Sequence, residues 1–267
     1  YRKDIIGDDP PKTWDDVFRL MKKYKGKTKY GFVARGAKGN PVVTNFAPVL
    51  WSTGGRIFDD DWHVTINDKK GVAALKLYMK LVKASPNGVA NYDSSEVGNT
   101  MAQGKALMSI VWPAWAHTME TESKSKVAGK IGYSLVPKGT EYAPELGNWL
   151  LAIPKGSEHK KAAFKFIKWA TSKKVQTKMA AEGGVPVRKS VLTDPKLVKK
   201  HPYLPAVKKG LENARWRPRT PLWSKMEHVL GTYLNLAVAG QMAPQEALDK
   251  AAKELEKVLK ANGYAKE

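Results

Sequence analysis

Apolar residues recur along most of this chain at the spacing of one-sided helices, interrupted by short apolar runs of strand length. Trp14, Val17, Phe18 and Met21 fall at i, i+3, i+4 and i+7, the stripe of a helix that buries one face. Pro10-Pro11-Lys12 reads as the turn before it, and Thr13 as its cap. Asp15 and Asp16 occupy the first turn, where the helix dipole favours carboxylates. The same period places Val72, Leu75, Met79 and Val82 on a helix capped by Asn67, and Val97 and Met101 on one capped by Ser94. A helix from Ser157 carries Phe164, Ile167 and Trp169, breaks near Ser172, resumes to Ala181 and closes at Gly183-Gly184-Val185-Pro186. Residues 206–214, 221–239 and 244–259 supply the last helices, the final two joined at Gly240.

Strand-length runs lie at residues 30–33, 106–111, 131–136 and 150–153, and residues 57–66 read as a hairpin turning at Asp59-Asp60-Asp61. That acidic triplet lacks the alternating ligand spacing of a calcium loop. The apolar run 45–51 leads to a turn at Gly54-Gly55. Helices and strands alternate, which predicts an α/β architecture.

A chain of 267 residues is long enough for one or two domains with a sizeable core. No apolar run approaches the roughly 20 residues that cross a bilayer, and Tyr1-Arg2-Lys3-Asp4 is not an apolar signal segment. With no cysteine, disulfides, thiolate metal sites and cysteine nucleophiles are excluded together. Lys plus Arg total 46 against 25 acidic residues, a net charge of +21, which permits binding to a polyanion. The lysines are dispersed, however, as in Lys22-Lys23, Lys69-Lys70, Lys160-Lys161 and Lys208-Lys209, mostly opposite apolar stripes. They read as solvated faces of the lysine-rich kind common in heat-adapted proteins. No zinc-knuckle, RNA-recognition or basic-zipper pattern accompanies them, so no specific nucleic-acid partner is expected.

The catalytic inventory is thin. His63, His117, His159, His201 and His228 form no metal-binding pair. There is no Gly-x-Ser-x-Gly elbow and no phosphate loop, and Glu120 and Glu122 sit in what reads as a solvated stretch and not a placed glycosidase pair. Neither enzyme activity nor a cofactor is expected. The tryptophans are more informative. Trp14 and Trp169 lie on helix stripes and are assigned to the core. Trp112-Pro113-Ala114-Trp115 directly follows a strand, Gly147-Asn148-Trp149 directly precedes one, and Trp216 and Trp223 flank Arg217-Pro218-Arg219. Ligands of open α/β sheets bind beyond the strand ends, and a flat indole stacks on the apolar face of a sugar while amides and guanidinium groups bond its hydroxyls.

These landmarks, in this order, resemble the family 1 extracellular solute-binding proteins of ABC sugar importers, the group that includes maltose- and trehalose-binding proteins. The resemblance rests on Tyr1-Arg2-Lys3-Asp4 with Pro10-Pro11-Lys12-Thr13-Trp14, on Gly54-Gly55, and on Gly104-Lys105-Ala106-Leu107-Met108 before the tryptophans. It continues through Gly147-Asn148-Trp149-Leu150-Leu151-Ala152-Ile153-Pro154 and Gly183-Gly184-Val185-Pro186-Val187-Arg188, and ends on Gly240-Gln241-Met242-Ala243-Pro244-Gln245-Glu246-Ala247-Leu248. It implies a bilobal α/β fold of the type II periplasmic-binding-protein kind, closing on a sugar and docking on a membrane permease. It further implies that residues 1–146 and 205–267 form the second lobe and residues 147–204 a returning segment of the first. The opening part of that first lobe, about a hundred residues or a domain's worth, would then lie outside these residues, on a separate chain or a fragment. The protein would be extracellular or periplasmic, anchored through that part. By the same resemblance, Trp112 or Trp115 is the stacking aromatic, Gly147, Asn148 and Trp149 are crossing-strand contacts, Arg217 or Arg219 bonds hydroxyls, and Asn45 contacts ligand from a loop. The competing expectation is a cationic cell-surface module for adhesion or polymer binding.

Overall fold

The computed structural model describes residues 1–264. At the centre of the larger part, the strand Tyr30–Val33 pairs in parallel with Ala106–Ser109, Tyr30 opposite Ala106 and Phe32 opposite Met108. Parallel pairing needs a crossover, and here the crossover contains the helices Asn40–Ser52, Lys69–Lys83 and Ser94–Ala102. Two C-terminal helices, Trp223–Val238 and Pro244–Lys260, pack on each other and return over the same layer. The resulting core gathers Trp14, Phe46, Leu50, Tyr78, Leu230, Leu234 and Leu255, all nearly inaccessible. Helices and short parallel strand pairs make this an α/β fold, as the alternation of patterns predicts.

Several ends of elements are set by local chemistry. Thr13 and Asp16 form a reciprocal capping box, with the Asp16 amide donating to the Thr13 hydroxyl at 3.1 Å and the Thr13 amide donating to the Asp16 carboxylate at 3.1 Å. The helix after residue 67 is capped by Asp68, not Asn67, and the next by Asp93, not Ser94. An ionised carboxylate is the better acceptor for free amides at the positive end of a helix. Gly183, with φ of 89°, takes the left-handed turn that ends the helix Lys173–Ala181.

Other expectations change. Residues 131–136 are reduced to a single antiparallel bridge between Ile131 and Arg2. Residues 45–51 belong to the helix Asn40–Ser52. Residues 150–153 are not a strand, because no other described segment lies alongside to pair with their backbone groups; Leu150 is 84% exposed. The helix expected from Ser157 begins at Lys160. Trp169, which the helix stripe places in the core, is 59% exposed together with Phe164 and Phe166. The stripe exists, but nothing among the described residues covers it, and the helix Lys160–Ala170 buries no residue. The segment that follows is better held. Ala180, Val191, Leu192, Leu197, Tyr203 and Leu204 form a small cluster that also takes in Ala116.

Candidate functional site

Each of four strands in the structure ends at or beside a polar or aromatic side chain of one region. Tyr30–Val33 leads to Arg35, and Ala106–Ser109 leads to Trp112. Glu145–Leu146 contains Glu145 and leads to Gly147, and Arg215–Trp216, its parallel partner, leads to Arg217. Loops beyond the carboxyl ends of parallel strands are where α/β folds place ligands, since the strands hold them rigidly while their side chains stay accessible. A cavity of about 270 Å³ opens there, lined among others by Arg35, Asn45, Trp112, Tyr133, Glu145 and Tyr203.

Trp112 is 40% exposed at the mouth of this cavity, and the Arg35 guanidinium lies over its ring, 4.7 Å from the centroid. Arg35 is itself buried. Its Nε donates to Asp93 at 2.7 Å and its Nη1 to the Thr44 hydroxyl at 2.7 Å. Trp115 behaves differently. On the helix Ala114–Glu120 it turns away to pack on Gly98, where a Cβ would overlap the indole, and it joins the core cluster of Val97, Met101 and Met119.

In a crevice that shares Glu145 with the cavity, Arg217 donates to Glu145 across 72 residues of sequence, and its Nη1 lies 3.8 Å from Glu227. Glu227 also accepts from Asn40 Nδ2 at 2.9 Å. Burial pushes the Glu145 carboxyl above its usual range, and the Arg217 guanidinium pulls it part of the way back. Gly147 packs directly against Arg217, so a Cβ there would overlap the guanidinium. Only glycine leaves that room. Arg219 lies apart from this group, stacked at 4.7 Å on Trp216, which is itself 55% exposed. Asn148 is exposed, and Trp149 is 94% exposed. The indole Nε1 of Trp223, beside Glu145, Arg217 and Glu227, is buried with no hydrogen-bond partner among the described residues.

Asn45 is in a helix, not a loop, and its side chain is spent on the fold. Its Oδ1 accepts from the Arg35 amide at 3.0 Å and from the Tyr78 hydroxyl at 3.2 Å, and its Nδ2 donates to the Ile110 carbonyl at 3.2 Å. The structure thus brings Trp112, Gly147 and Arg217 to one region, holds Asn45 behind it, and leaves Trp115 in a core cluster. Sequence reasoning missed Arg35, Glu145 and Glu227. Arg35 and Glu145 had one legible mark, a position within two residues of a strand end or of Gly147.

Known proteins resemble this chain in sequence and in fold. The family described as bacterial extracellular solute-binding protein matches residues 1–177. A probable amino-acid ABC transporter periplasmic-binding protein of Sinorhizobium fredii is 31% identical over 97% of this chain and 60% of its own length. The mannitol-binding protein of Pseudomonas aeruginosa is 25% identical, covering 100% of this chain and 68% of its own. Among solved structures, the maltose-bound MalE3 protein of T. maritima superposes with a TM-score of 0.90 at 33% identity, over 97% of this chain and 69% of that one. A solute-binding protein of Agrobacterium radiobacter in complex with ribitol gives 0.88 at 35% identity, over 97% and 68%. The chain spans 60% and 64% of the length of two curated relatives it matches.

Proposed function

The chain belongs to the bacterial extracellular solute-binding proteins, and from that premise we propose that it forms the larger part of a protein that captures a sugar or polyol between two lobes and delivers it to an ABC transporter permease. The observation that carries this reading is the cavity beyond the strand ends, lined by the half-open indole of Trp112 and by Glu145, with Arg217 bonded to Glu145 in the adjoining crevice. Trp112 offers an apolar face to a carbohydrate ring, while Glu145 accepts from hydroxyls and Arg217 donates to them. Residues 1–146 and 205–267 are the second lobe in this reading, and residues 147–204 a returning piece of the first. Its exposed face, with Trp149, Leu150, Phe164 and Trp169, is covered by the opening part of that lobe, carried outside these 267 residues. The whole works outside the cytoplasm, anchored through that part, and performs no chemistry.

Charge selects the ligand class. Arg35 is matched by Asp93 and Arg217 by Glu145, so neither guanidinium brings an uncompensated charge to meet a free carboxylate. A neutral polyhydroxyl ligand suits this set better than an amino acid, although one similar protein is described as a probable amino-acid transporter component. The net charge of +21 supports a second reading, adhesion to an anionic polymer.

A thermal-shift screen of the full-length protein separates the three. At least one of maltose, mannitol and ribitol is expected to raise the melting temperature by several degrees, since a ligand at 100 times its Kd contributes about 2.7 kcal/mol, and the shift should hold as salt rises. Stabilisation by amino acids alone would overturn the sugar reading. Stabilisation by a polyanion that collapses with salt would favour the polymer. With the panel member that binds, Gly147→Ala is expected to displace Arg217 from Glu145 and weaken affinity about tenfold, the size of one charge-assisted hydrogen bond. The melting temperature of the ligand-free protein should fall as well, because the buried Glu145 carboxyl loses its counter-charge.

A further inference from the structure

We propose that Arg35 is the positioning residue for the Trp112 platform, fixing the tilt of the indole from behind and so setting which sugars it accepts. This rests on the sugar reading of the site. An indole has two faces. The Arg35 guanidinium covers one at 4.7 Å and is 7% exposed, so the 40% exposure of Trp112 belongs to the other face and the ring edge.

The guanidinium is unusually constrained for a side chain with so many rotatable bonds. Its Nε and Nη2 both reach Asp93 Oδ1 at 2.7 Å, and its Nη1 donates to Thr44 at 2.7 Å. Its Nη2 also points at Asn40 Oδ1 at 3.5 Å. The backbone is pinned as well, through the Arg35 amide to Asn45 and the Tyr78 hydroxyl to the Arg35 carbonyl at 2.9 Å. Partners on the edge of the fork leave only its flat face for the ring, which is the geometry in which a guanidinium stacks. Asn40 passes the constraint to Glu227 at 2.9 Å, and Glu227 lies beside Arg217. The platform and the polar set are therefore held by one connected network, with Arg35 at the platform end. Lysine, a point charge without a plane, cannot reproduce this.

Two measurements on the full-length protein test the role. Without ligand, the Trp112 emission, taken as wild type minus Trp112→Phe, should be more readily quenched by acrylamide in Arg35→Lys. It should shift the same way, less strongly, in Thr44→Val, which removes one acceptor and keeps the charge pair. With the maltose, mannitol or ribitol that binds, Arg35→Lys should weaken affinity about tenfold when Trp112 is present, within the range of a desolvated cation–π contact. It should weaken affinity little further in Trp112→Ala, since coupled residues are non-additive. Unchanged quenching in both variants, or additive losses in the cycle, would overturn the proposal. If no panel member binds, the sugar reading fails, while the quenching arm still decides whether Arg35 sets the indole.

Discussion

Replacing Trp112 by alanine in the full-length protein is expected to weaken sugar binding by about 1–3 kcal/mol, a loss of about fivefold to 150-fold, with the fold intact. The indole is half open at the cavity mouth and backed by a clamped guanidinium, so truncation removes a preset stacking surface and leaves Arg35 facing solvent. Trp115→Ala should behave in the opposite way. Its ring fills space against Gly98 and the cluster of Val97 and Met101, so the loss should appear in stability, at about 1–3 kcal/mol for a partly buried aromatic. Calorimetric titration and chemical denaturation of the two variants check both halves. A Trp112→Ala protein that binds with unchanged affinity would remove the indole from the site.

The second large effect concerns residues 147–172. Leu150, Phe164, Phe166 and Trp169 are each more than half exposed, and the helix Lys160–Ala170 buries none of its residues. A helix so placed has little but its own propensity to hold it, and isolated helices of this length are marginal in water. In the 267-residue chain made alone, the amides of residues 150–170 are expected to exchange with solvent within seconds. Those of the helix Asn40–Ser52 should be protected to the level of global unfolding. Supplying the covering segment in trans should slow residues 150–170 by orders of magnitude. The helix Lys173–Ala181 should fall between, because Gln176 and Ala180 are buried and the Gln176 side chain links the Ala170 carbonyl to the Val187 amide. Equal protection of residues 150–170 with and without the segment would mean that this stretch folds on its own.

What the sequence allowed one to read divides along physical lines. The helix Trp14–Lys23 was legible because its stripe, cap and acidic first turn all point the same way. The helix Asn40–Ser52 was not. Pro41, Pro48 and the β-branched Val42, Val43 and Thr44 weigh against a helix interior. Pro41 is in fact favourable at the first turn, and the whole middle of the helix is buried, so tertiary packing overrides propensity. The strand expected at residues 150–153 fails for the complementary reason, since pattern alone cannot supply a neighbour. At the candidate site, Trp112 was visible as an aromatic beside a turn, but the same mark also picked out Trp115, which packs on a core cluster, and Trp149, which is 94% exposed. Arg35, Glu145 and Glu227 were not visible, because a single charge in a lysine-rich chain looks like any solvated residue. Their pairing spans 72 residues for Arg217 with Glu145 and 187 for Asn40 with Glu227, distances that only the fold brings together.

In the proposed binding mode a neutral polyhydroxyl ligand rests on Trp112 and is hydrogen-bonded by the Glu145–Arg217 pair. The most direct measurement is a crystal structure of the full-length protein with the maltose, mannitol or ribitol that binds it. The expected result places the ligand's carbon framework against the open face of Trp112, with Arg35 still behind the ring. Hydroxyl groups should lie about 2.7–3.2 Å from Glu145 and Arg217. A ligand held elsewhere, with Trp112 facing solvent and Glu145 bonded only to Arg217, would contradict it.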